Sequence, residues 1–345
     1  MDVATSLFLV QDAILNGAIY SLVGVSLVLI FAVTRVIFIA QGEFVAFSTL
    51  TFAALEAGKV PKAGGLLILL GMMAYIASLI RERSSLTKTR VFVLVLADVF
   101  VPILIVCLAA FLAPLQLGFV VEALLTFLLI VPMGPYIYRV VFEPLAEASV
   151  LVLLIASFGV HLALTGLGLG FFGPEGANTS SLVTRSFTVG ELTITGQSLV
   201  VVGTTVALFI AFAGVFGRTL FGKALRACAS NRLGARLVGI PTGVAGQITF
   251  GLAALLGCVC GILIGPILTV YYDSGFMIGL KGFVAAIIGA LGSYVVTAAA
   301  ALVVALVEAF SSFYVSAYKE IVVFTLLVPV LLWRSLRSPH MVGRS

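Results

Sequence analysis

Apolar runs of bilayer-crossing length follow one another along almost the whole chain, and they limit the possible folds more than any other feature. Of the 345 residues, 62% are hydrophobic and 10% are charged, whereas a soluble domain is about 25% charged. One crossing needs about 20 helical residues, because the hydrocarbon core is about 30 Å thick and a helix rises about 1.5 Å per residue. The alternating segments of a membrane β-barrel are absent from the sequence. We therefore expect an all-α, polytopic integral membrane helix bundle that forms a single domain over residues 1–345.

The sequence predicts 10–11 membrane segments, some of them broken or re-entrant. Two are weak as simple spans, because 276–292 is rich in glycine and 37–57 carries Gln41 and Glu43 near its start. Between two of the segments, residues 172–197 are expected to form an extracytoplasmic loop with a β-like stretch. The predicted segments are 12–33, 37–57, 63–81, 91–113, 118–138, 149–171, 198–216, 243–265, 276–292, 295–315 and 320–333.

The basic residues are distributed unevenly between the two sides that strict alternation of these segments defines. One side holds fourteen of the nineteen Lys and Arg residues and the other holds five. Because cytoplasmic loops are enriched in Lys and Arg, the first side is predicted to be cytoplasmic, with the amino terminus outside and the carboxyl terminus inside. The fourteen are Arg35, Arg81, Arg83, Lys88, Arg90, Arg139, Arg218, Lys223, Arg226, Arg232, Arg236, Arg334, Arg337 and Arg344. The five are Lys59, Lys62, Arg185, Lys281 and Lys319.

Residues 217–241 stand out as a polar stretch in this apolar chain, with five Lys or Arg residues and no acid. Their apolar positions recur at helical spacing, which predicts a short basic amphipathic helix on the cytoplasmic side. Such a helix either docks a partner or only fixes the topology, and the residues alone favour neither. The sequence pI of about 9.1 does not indicate a nucleic-acid partner, since these charges lie where a membrane places them. Anionic lipid headgroups are a further expected contact.

Ionisable residues inside predicted spans are functional candidates, because a charge at that depth is costly. Glu43 is predicted to be interfacial and structural, and Asp98 is predicted to pair with Glu122. Glu308 looks isolated in its span, so a hydrogen bond between helices and a substrate contact both stay open. Lys281 fits a helix cap, a snorkelling side chain or a site that attracts a carboxylate. His161 fits a packed histidine better than a ligand. No catalytic constellation and no metal-ligand spacing are present in the sequence, and the four cysteines are expected to be small packing residues.

Several stretches together resemble the branched-chain amino acid ABC importer permeases of the LivH/LivM family. Residues 16–31 are similar to the family's first span, and Ala40-Gln-Gly-Glu-Phe44 is similar to the start of its second. Ala224-Leu-Arg-Ala-Cys-Ala229, with Asn231, Ala235 and Gly239 after it, resembles the family's cytoplasmic loop. Residues 279–293 resemble its carboxyl-terminal motif, and Glu308 follows where the family carries a similar acid. About 250 residues are covered in order.

The resemblance implies a permease subunit of a bacterial ABC importer in the cell inner membrane. It would translocate branched-chain or other small amino acids, with a homologous permease or a second copy of itself, two ABC ATPase subunits and a periplasmic solute-binding protein as partners. This chain would bind no cofactor, and ATP would be hydrolysed on the partners, since Gly222-Lys223 lacks the rest of a phosphate loop. The loop 217–241 would couple to the ATPase through Leu225, Arg226, Ala227, Asn231, Ala235 and Gly239, with Arg232 and Arg236 pairing with partner acids or lipid headgroups. The translocation pathway candidates are Gln41, Glu43, Lys281 and Glu308.

One departure from the family pattern lies early in the chain. The family has one span between its second helix and the region of Arg139, whereas this sequence predicts three, so residues 63–113 are interpreted as an extra helical hairpin, most simply a peripheral one. An alternative function is a stand-alone ion-coupled secondary transporter of small solutes. That function needs a coupling-ion site near the midplane, which Glu308 and the glycine-rich 276–292 segment would supply.

Overall fold

The computed structural model describes residues 3–81, 87–189 and 192–337, and these ranges form a helix bundle with one small hairpin. The predicted basic residues Arg83 and Arg344 lie outside the described residues. The hairpin consists of β1 (Ser186–Val189) and β2 (Leu192–Thr195), which pair antiparallel. The helices are α1 (Val3–Thr34), α2 (Gln41–Glu56), α3 (Ala63–Arg81), α4 (Lys88–Val95), α5 (Val101–Leu112), α6 (Phe119–Ile130), α7 (Met133–Ile137), α8 (Val150–Phe172), α9 (Gly196–Arg218), α10 (Leu220–Ser230), α11 (Arg232–Leu237), α12 (Thr242–Ile264), α13 (Ser274–Ile288), α14 (Tyr294–Tyr314), α15 (Lys319–Thr325) and α16 (Leu327–Arg337).

Nine helical segments of the described chain are long and apolar enough to cross a membrane. Helices α4 and α5 form one of them through a π-helical turn at Leu96–Phe100. Helices α6 and α7 form another, which is interrupted just before Met133 because Pro132 has no backbone N–H. The two segments that were weak in the sequence are α2 and α13, with 16 and 15 residues. The prediction of a polytopic bundle with broken segments is confirmed.

The connections between helices fall at two ends of the bundle. At the first end, which we call the basic end, the carboxyl-terminal half of α3 reaches the chain before α8 through Arg81 and Glu143, and Val33 of α1 packs on α10. At the opposite end, the hairpin end, Gln11 of α1 donates to the Thr193 carbonyl oxygen. The basic stretch 217–241 and the predicted loop 172–197 therefore lie at opposite ends.

Four helices make up the centre of the bundle. The long helix α1 contacts α12, α13 and α14, while the long helix α12 contacts α1, α2 and the α6–α7 segment. Each long helix is followed by a short one, α1 by α2 and α12 by α13, and the two short helices contact each other. Because α1 runs from the hairpin end to the basic end and α12 runs back, the two helix pairs form an inverted repeat. The sequence analysis did not identify this repeat.

The predicted extra hairpin 63–113 divides into two parts that pack differently. Helix α3 buries Leu66, Leu67, Leu70 and Ala74 against the bundle. The α4–α5 segment, in contrast, buries few of its apolar side chains and exposes large ones such as Phe92 and Phe111. The peripheral interpretation therefore holds only for α4–α5, because α3 is part of the bundle core.

Candidate functional site

The two short helices meet at their amino-terminal ends, and α2 begins inside the protein. The linker of residues 35–40 returns from the end of α1 into the core, where Phe38 packs against Phe250 with ring centroids 5.0 Å apart. The backbone N–H of Ile39 donates to Ser157 Oγ at 2.7 Å, which satisfies a donor far from solvent. The first three residues of α2 are buried, and Gly42 lies against the backbone of Gly275 and Gly279 in α13. Two positive helix-dipole ends therefore converge at this crossing.

Gly42→Ala is expected to destabilise the protein because the crossing leaves no room for a methyl group. A Cβ at residue 42 would lie 1.8 Å from the Gly275 carbonyl oxygen, and backbone cannot move aside as a flexible side chain can. Overpacking of this kind costs about 1–3 kcal/mol. Denaturant unfolding in detergent measures the loss. Gly159→Ala is the matched control, because nothing lies within 4 Å of its added Cβ. Equal stability of the two variants would contradict the prediction.

A buried pair of Glu43 and His161 lies beside this crossing. His161 Nδ1 is 2.6 Å from Glu43 Oε1, and the imidazole stacks on Phe276 of α13 with centroids 4.3 Å apart. His161 is eleven residues before the end of α8, so the pair lies about 16 Å from the hairpin end, near half the thickness of a bilayer. The interfacial prediction for Glu43 is wrong, because its side chain is fully buried. His161 is packed, as predicted, and the described residues contain no group of three metal-ligating side chains.

Gln41 starts the same helix and is also fully buried. Its Nε2 donates to the Ala253 carbonyl oxygen of α12 at 2.8 Å. Within the described residues, the other amide oxygen of Gln41 and the second carboxylate oxygen of Glu43 have no hydrogen-bond partner. Unpaired buried acceptors are costly. The crossing therefore contains two buried hydrogen-bond acceptors that stay unpaired in this conformation.

A second buried cluster joins α13 to α14, α15 and α1. Lys281 Nζ lies 2.5 Å from Glu308 Oε1 and 3.2 Å from Glu320 Oε1. The hydroxyl of Tyr20 donates to Glu308 Oε2 at 2.7 Å. Glu308 is therefore not isolated, contrary to the sequence interpretation, and Lys281 pairs with acids of its own chain instead of capping a helix or snorkelling. The sequence could not reveal this cluster, since its members are up to 300 residues apart.

Asp98 is bound by Arg139 and not by Glu122, so the predicted acid pair is wrong. The Arg139 guanidinium donates to both Asp98 carboxylate oxygens at 2.5 and 2.7 Å, and to Ser78 Oγ at 2.6 Å. Both ionic partners sit in π-helical turns, at Leu96–Phe100 and Tyr138–Phe142. A carboxylate that is only 1% exposed needs such a partner. This pair attaches the peripheral α4–α5 segment to the bundle.

The basic loop 217–241 is two helices and not one. Asn231 breaks it, because the Asn231 side chain caps α11 by accepting from the Gly234 N–H at 2.8 Å. Leu225, Cys228 and Ala235 are buried in a small cluster together with Val33 of α1. The predicted docking role of Leu225 and Ala235 is therefore wrong, since their side chains hold the loop on the bundle. Burial raises the pKa of the Cys228 thiol, which fits the predicted packing role.

The exposed large apolar side chains of this loop are Leu220 at the start of α10 and three residues on or directly after α11. Leu233, Leu237 and Val238 are 68%, 80% and 76% exposed, and we call these three residues the α11 patch. The exposed Gly239 follows the patch with φ +85°, a conformation that favours glycine. Arg226 is exposed on α10, and Ala227 is half-buried. Sequence periodicity missed the α11 patch because it treated the whole stretch as one helix.

Arg232 and Arg236 attach α11 to the segment between α7 and α8. Arg232 donates to the Ala146 carbonyl oxygen at 2.9 Å, and Arg236 lies 3.2 Å from Glu147 Oε1. Their pairing with partner acids or lipid headgroups stays a prediction, since Arg236 is 67% exposed despite its contact within the chain. Exposed ion pairs such as Arg236–Glu147 are weak. These contacts therefore position α11 without fixing it in place.

Comparison with known proteins gives a family match over most of the chain. The family described as "Branched-chain amino acid transport system / permease component" matches residues 9–331. The high-affinity branched-chain amino acid transport system permease protein LivH of Escherichia coli (strain K12) is 31% identical over 207 residues, which are 58% of this chain and 67% of LivH. The corresponding protein BraD of Pseudomonas aeruginosa is 31% identical over 210 residues, with 58% and 68% covered. No solved structure matches the chain.

Proposed function

Because this chain belongs to the family of branched-chain amino acid transport system permease components, we propose that it is the membrane subunit of an ABC importer. Its substrates are branched-chain or other small amino acids, and ATP is hydrolysed on partner subunits. The observation that carries this proposal is the family match, which extends over residues 9–331 and so includes both the central crossing and the basic loop.

The basic loop is the proposed contact with two ABC ATPase subunits. An exposed apolar patch on a short helix is the feature that a groove in a partner recognises. The α11 patch is such a feature. Arg226, Ala227, Asn231 and Gly239 of the same loop complete the proposed contact. In this proposal Leu225 and Ala235 transmit the movement, since they pack the loop against α1 and α12. Closure of the ATPase dimer would then shift the basic ends of these two central helices.

The orientation follows from the distribution of charge. The basic end faces the cytoplasm, so the amino terminus is outside and the carboxyl terminus is inside. A periplasmic solute-binding protein docks at the hairpin end, where residues 172–197 and the β1–β2 hairpin are displayed. The chain lies in the cell inner membrane beside a homologous permease or a second copy of itself.

The translocation pathway is proposed to run along the two polar clusters. Gln41 and Glu43 lie at the crossing of α2 and α13, and Lys281 and Glu308 lie on the other side of α13. Gln41, Glu43 and Lys281 are buried, and the Glu308 side chain is 12% exposed, so a conformational change has to expose them. Inverted repeats with helices that begin at mid-depth are typical of proteins in which one half rocks against the other.

A second candidate function, a stand-alone secondary transporter, is favoured by the same geometry. Discontinuous helices and buried acids at the midplane are the features that coupling-ion sites use. The two candidate functions differ in their energy source, which is ATP for the importer and an ion gradient for the secondary transporter. Uptake measurements distinguish these two sources directly.

The test is uptake of radiolabelled leucine into proteoliposomes that contain the permease, the binding protein and the ATPases. We expect uptake only when ATPase and ATP are both present. Permease alone under a proton or sodium gradient is the control for the secondary transporter. Gradient-driven uptake without ATPase would overturn the importer proposal, and uptake of neither kind would overturn the proposed substrate class.

A further inference from the structure

A cavity of about 600 Å³ opens at the hairpin end, apart from the two polar clusters described above. It lies between the first turns of α1, the chain that precedes β1, the start of α9 and Pro266-Ile267 after α12. Its volume is within the range of about 300–1,000 Å³ that is usual for small-molecule sites. The site is large enough for a free amino acid with some of its water.

Two opposite charges line this cavity. Asp12 of α1 contributes a carboxylate, and Arg185, directly before β1, contributes a guanidinium. Neither forms an ion pair with the other or with any residue in 3–81, 87–189 and 192–337. Both are exposed, so each is free to bind a ligand. A pair of separated opposite charges is complementary to a zwitterion, with the guanidinium holding a carboxylate by two parallel hydrogen bonds.

The rest of the lining fits the other parts of an amino acid. Phe8, Leu15, Val183 and Ile267 supply apolar surface for an aliphatic side chain. The start of α9 also lines the cavity, and its positive dipole end favours a carboxylate on the side of Arg185. The charges and the apolar surface together select a small amino acid with an apolar side chain.

The wall that carries Arg185 is fixed by hydrogen bonds. The Arg185 carbonyl oxygen accepts from the Gly196 N–H at 2.8 Å. The Leu182 N–H donates to Gln197 Oε1 at 3.1 Å, and Gln11 Nε2 holds Thr193 of β2 at 3.1 Å. These contacts connect the hairpin to α1 and α9, so the cavity has a defined shape.

A stripe of polar side chains leads from this cavity into the bundle. Asp12, Asn16 and Tyr20 follow at intervals of four on one face of α1. Asp12 lines the cavity, and Tyr20, two turns further along α1, donates to Glu308. A second charged cavity at the hairpin end, of about 390 Å³, is lined by Lys59, Lys62 and Glu175 among others, and no residue of α1 lines it.

We propose, on the basis of the import function above, that this cavity is an entry site for the zwitterionic amino acid released by the binding protein. Arg185 holds the α-carboxylate and Asp12 holds the α-ammonium group. The site is a weak one, because exposed charges contribute little in water. Weak binding suits a relay site, since a docked binding protein presents its ligand at a millimolar effective concentration.

The test is saturation-transfer NMR of leucine on the full-length permease in lipid nanodiscs, without binding protein or ATPase. We expect Arg185→Gln and Asp12→Asn each to weaken leucine binding by about two- to fivefold, the range that loss of one exposed ion pair produces. The matched controls Lys59→Gln and Glu175→Gln remove the same kinds of charge from the second cavity and are expected to bind as wild type does. Wild type is expected to bind 4-methylpentanoate and 3-methylbutylamine, which lack the ammonium or the carboxylate, about two- to fivefold more weakly than leucine.

Three results would overturn the entry site. These are absence of leucine binding to wild type, wild-type binding by both cavity variants, and equal binding of leucine and the two analogues. The analogue comparison needs no variant, so it decides the matter even if a variant does not fold. ATP-driven uptake by the complete transporter tests the import function separately. Uptake that persists without any leucine signal on the isolated permease would overturn the entry site and leave the importer standing.

Discussion

Leu237→Glu is expected to abolish ATP-driven uptake and to release the ATPase from the permease. Leu237 is 80% exposed on α11, so the substitution leaves the packing of the chain unchanged. In the proposed complex the same side chain enters an apolar groove, where an unpaired carboxylate is costly. Central interface residues contribute about 2 kcal/mol or more, and every 1.4 kcal/mol is about tenfold in affinity. We therefore expect ATPase binding to fall by at least about 30-fold.

Co-purification of the ATPase with the permease and leucine uptake in proteoliposomes measure the two effects. Leu220→Glu is the matched control, because Leu220 is 84% exposed at the start of α10 and is not part of the α11 patch. The control is expected to bind the ATPase and to transport as wild type does. Normal uptake by Leu237→Glu would show that α11 is not the docking helix. Equal loss in both variants would instead place the contact on the loop as a whole.

Lys281→Met is expected to lower the free energy of unfolding by about 3–5 kcal/mol, because it leaves a buried acid without its partner. Lys281 and Glu308 are only 10% and 12% exposed, so water cannot replace the lost ion pair. The double variant Lys281→Met with Glu308→Gln is expected to regain most of this stability, since a buried pair replaced on both sides is often neutral. Unfolding in mixed detergent measures all three proteins, with Lys62→Met as an exposed control.

Uptake by the double variant separates a structural role from a pathway role. If the pair only holds helices together, restored stability restores uptake. If the pair lines the pathway, as we propose, the double variant folds and binds the ATPase but transports at a small fraction of the wild-type rate. Full uptake by the double variant would therefore assign Lys281 and Glu308 to stability alone.

Much of the fold could be predicted because a bilayer restricts the choices. Each predicted segment corresponds to a described helix or a pair of helices, and the two weakest segments are the two short helices α2 and α13. Glycine content and early polar residues identified them, since close contact and polar groups at that depth require surrounding protein. The loop boundaries followed from the same rule.

The partners of individual side chains could not be predicted in the same way. Asp98 and Glu122 lie in neighbouring segments, which suggested a pair, but Arg139 reaches Asp98 through two π-helical turns that leave no mark in the sequence. Likewise, the family resemblance placed Leu225 and Ala235 at the docking contact, and packing against Val33 put them inside. Both errors concern the direction in which a side chain points.

The sequence by itself determined the class of fold, the number of apolar segments and the family, because hydropathy, charge distribution and motif order are properties of the chain. Only the tertiary structure decided that α2 and α13 meet at their amino termini and that Lys281 holds both Glu308 and Glu320. It also decided that three of the four exposed large apolar side chains of the basic loop lie on or directly after α11. The physical reason is that a charge or an apolar group in a membrane protein needs a partner, and which partner it contacts depends on helices that lie far apart in the chain.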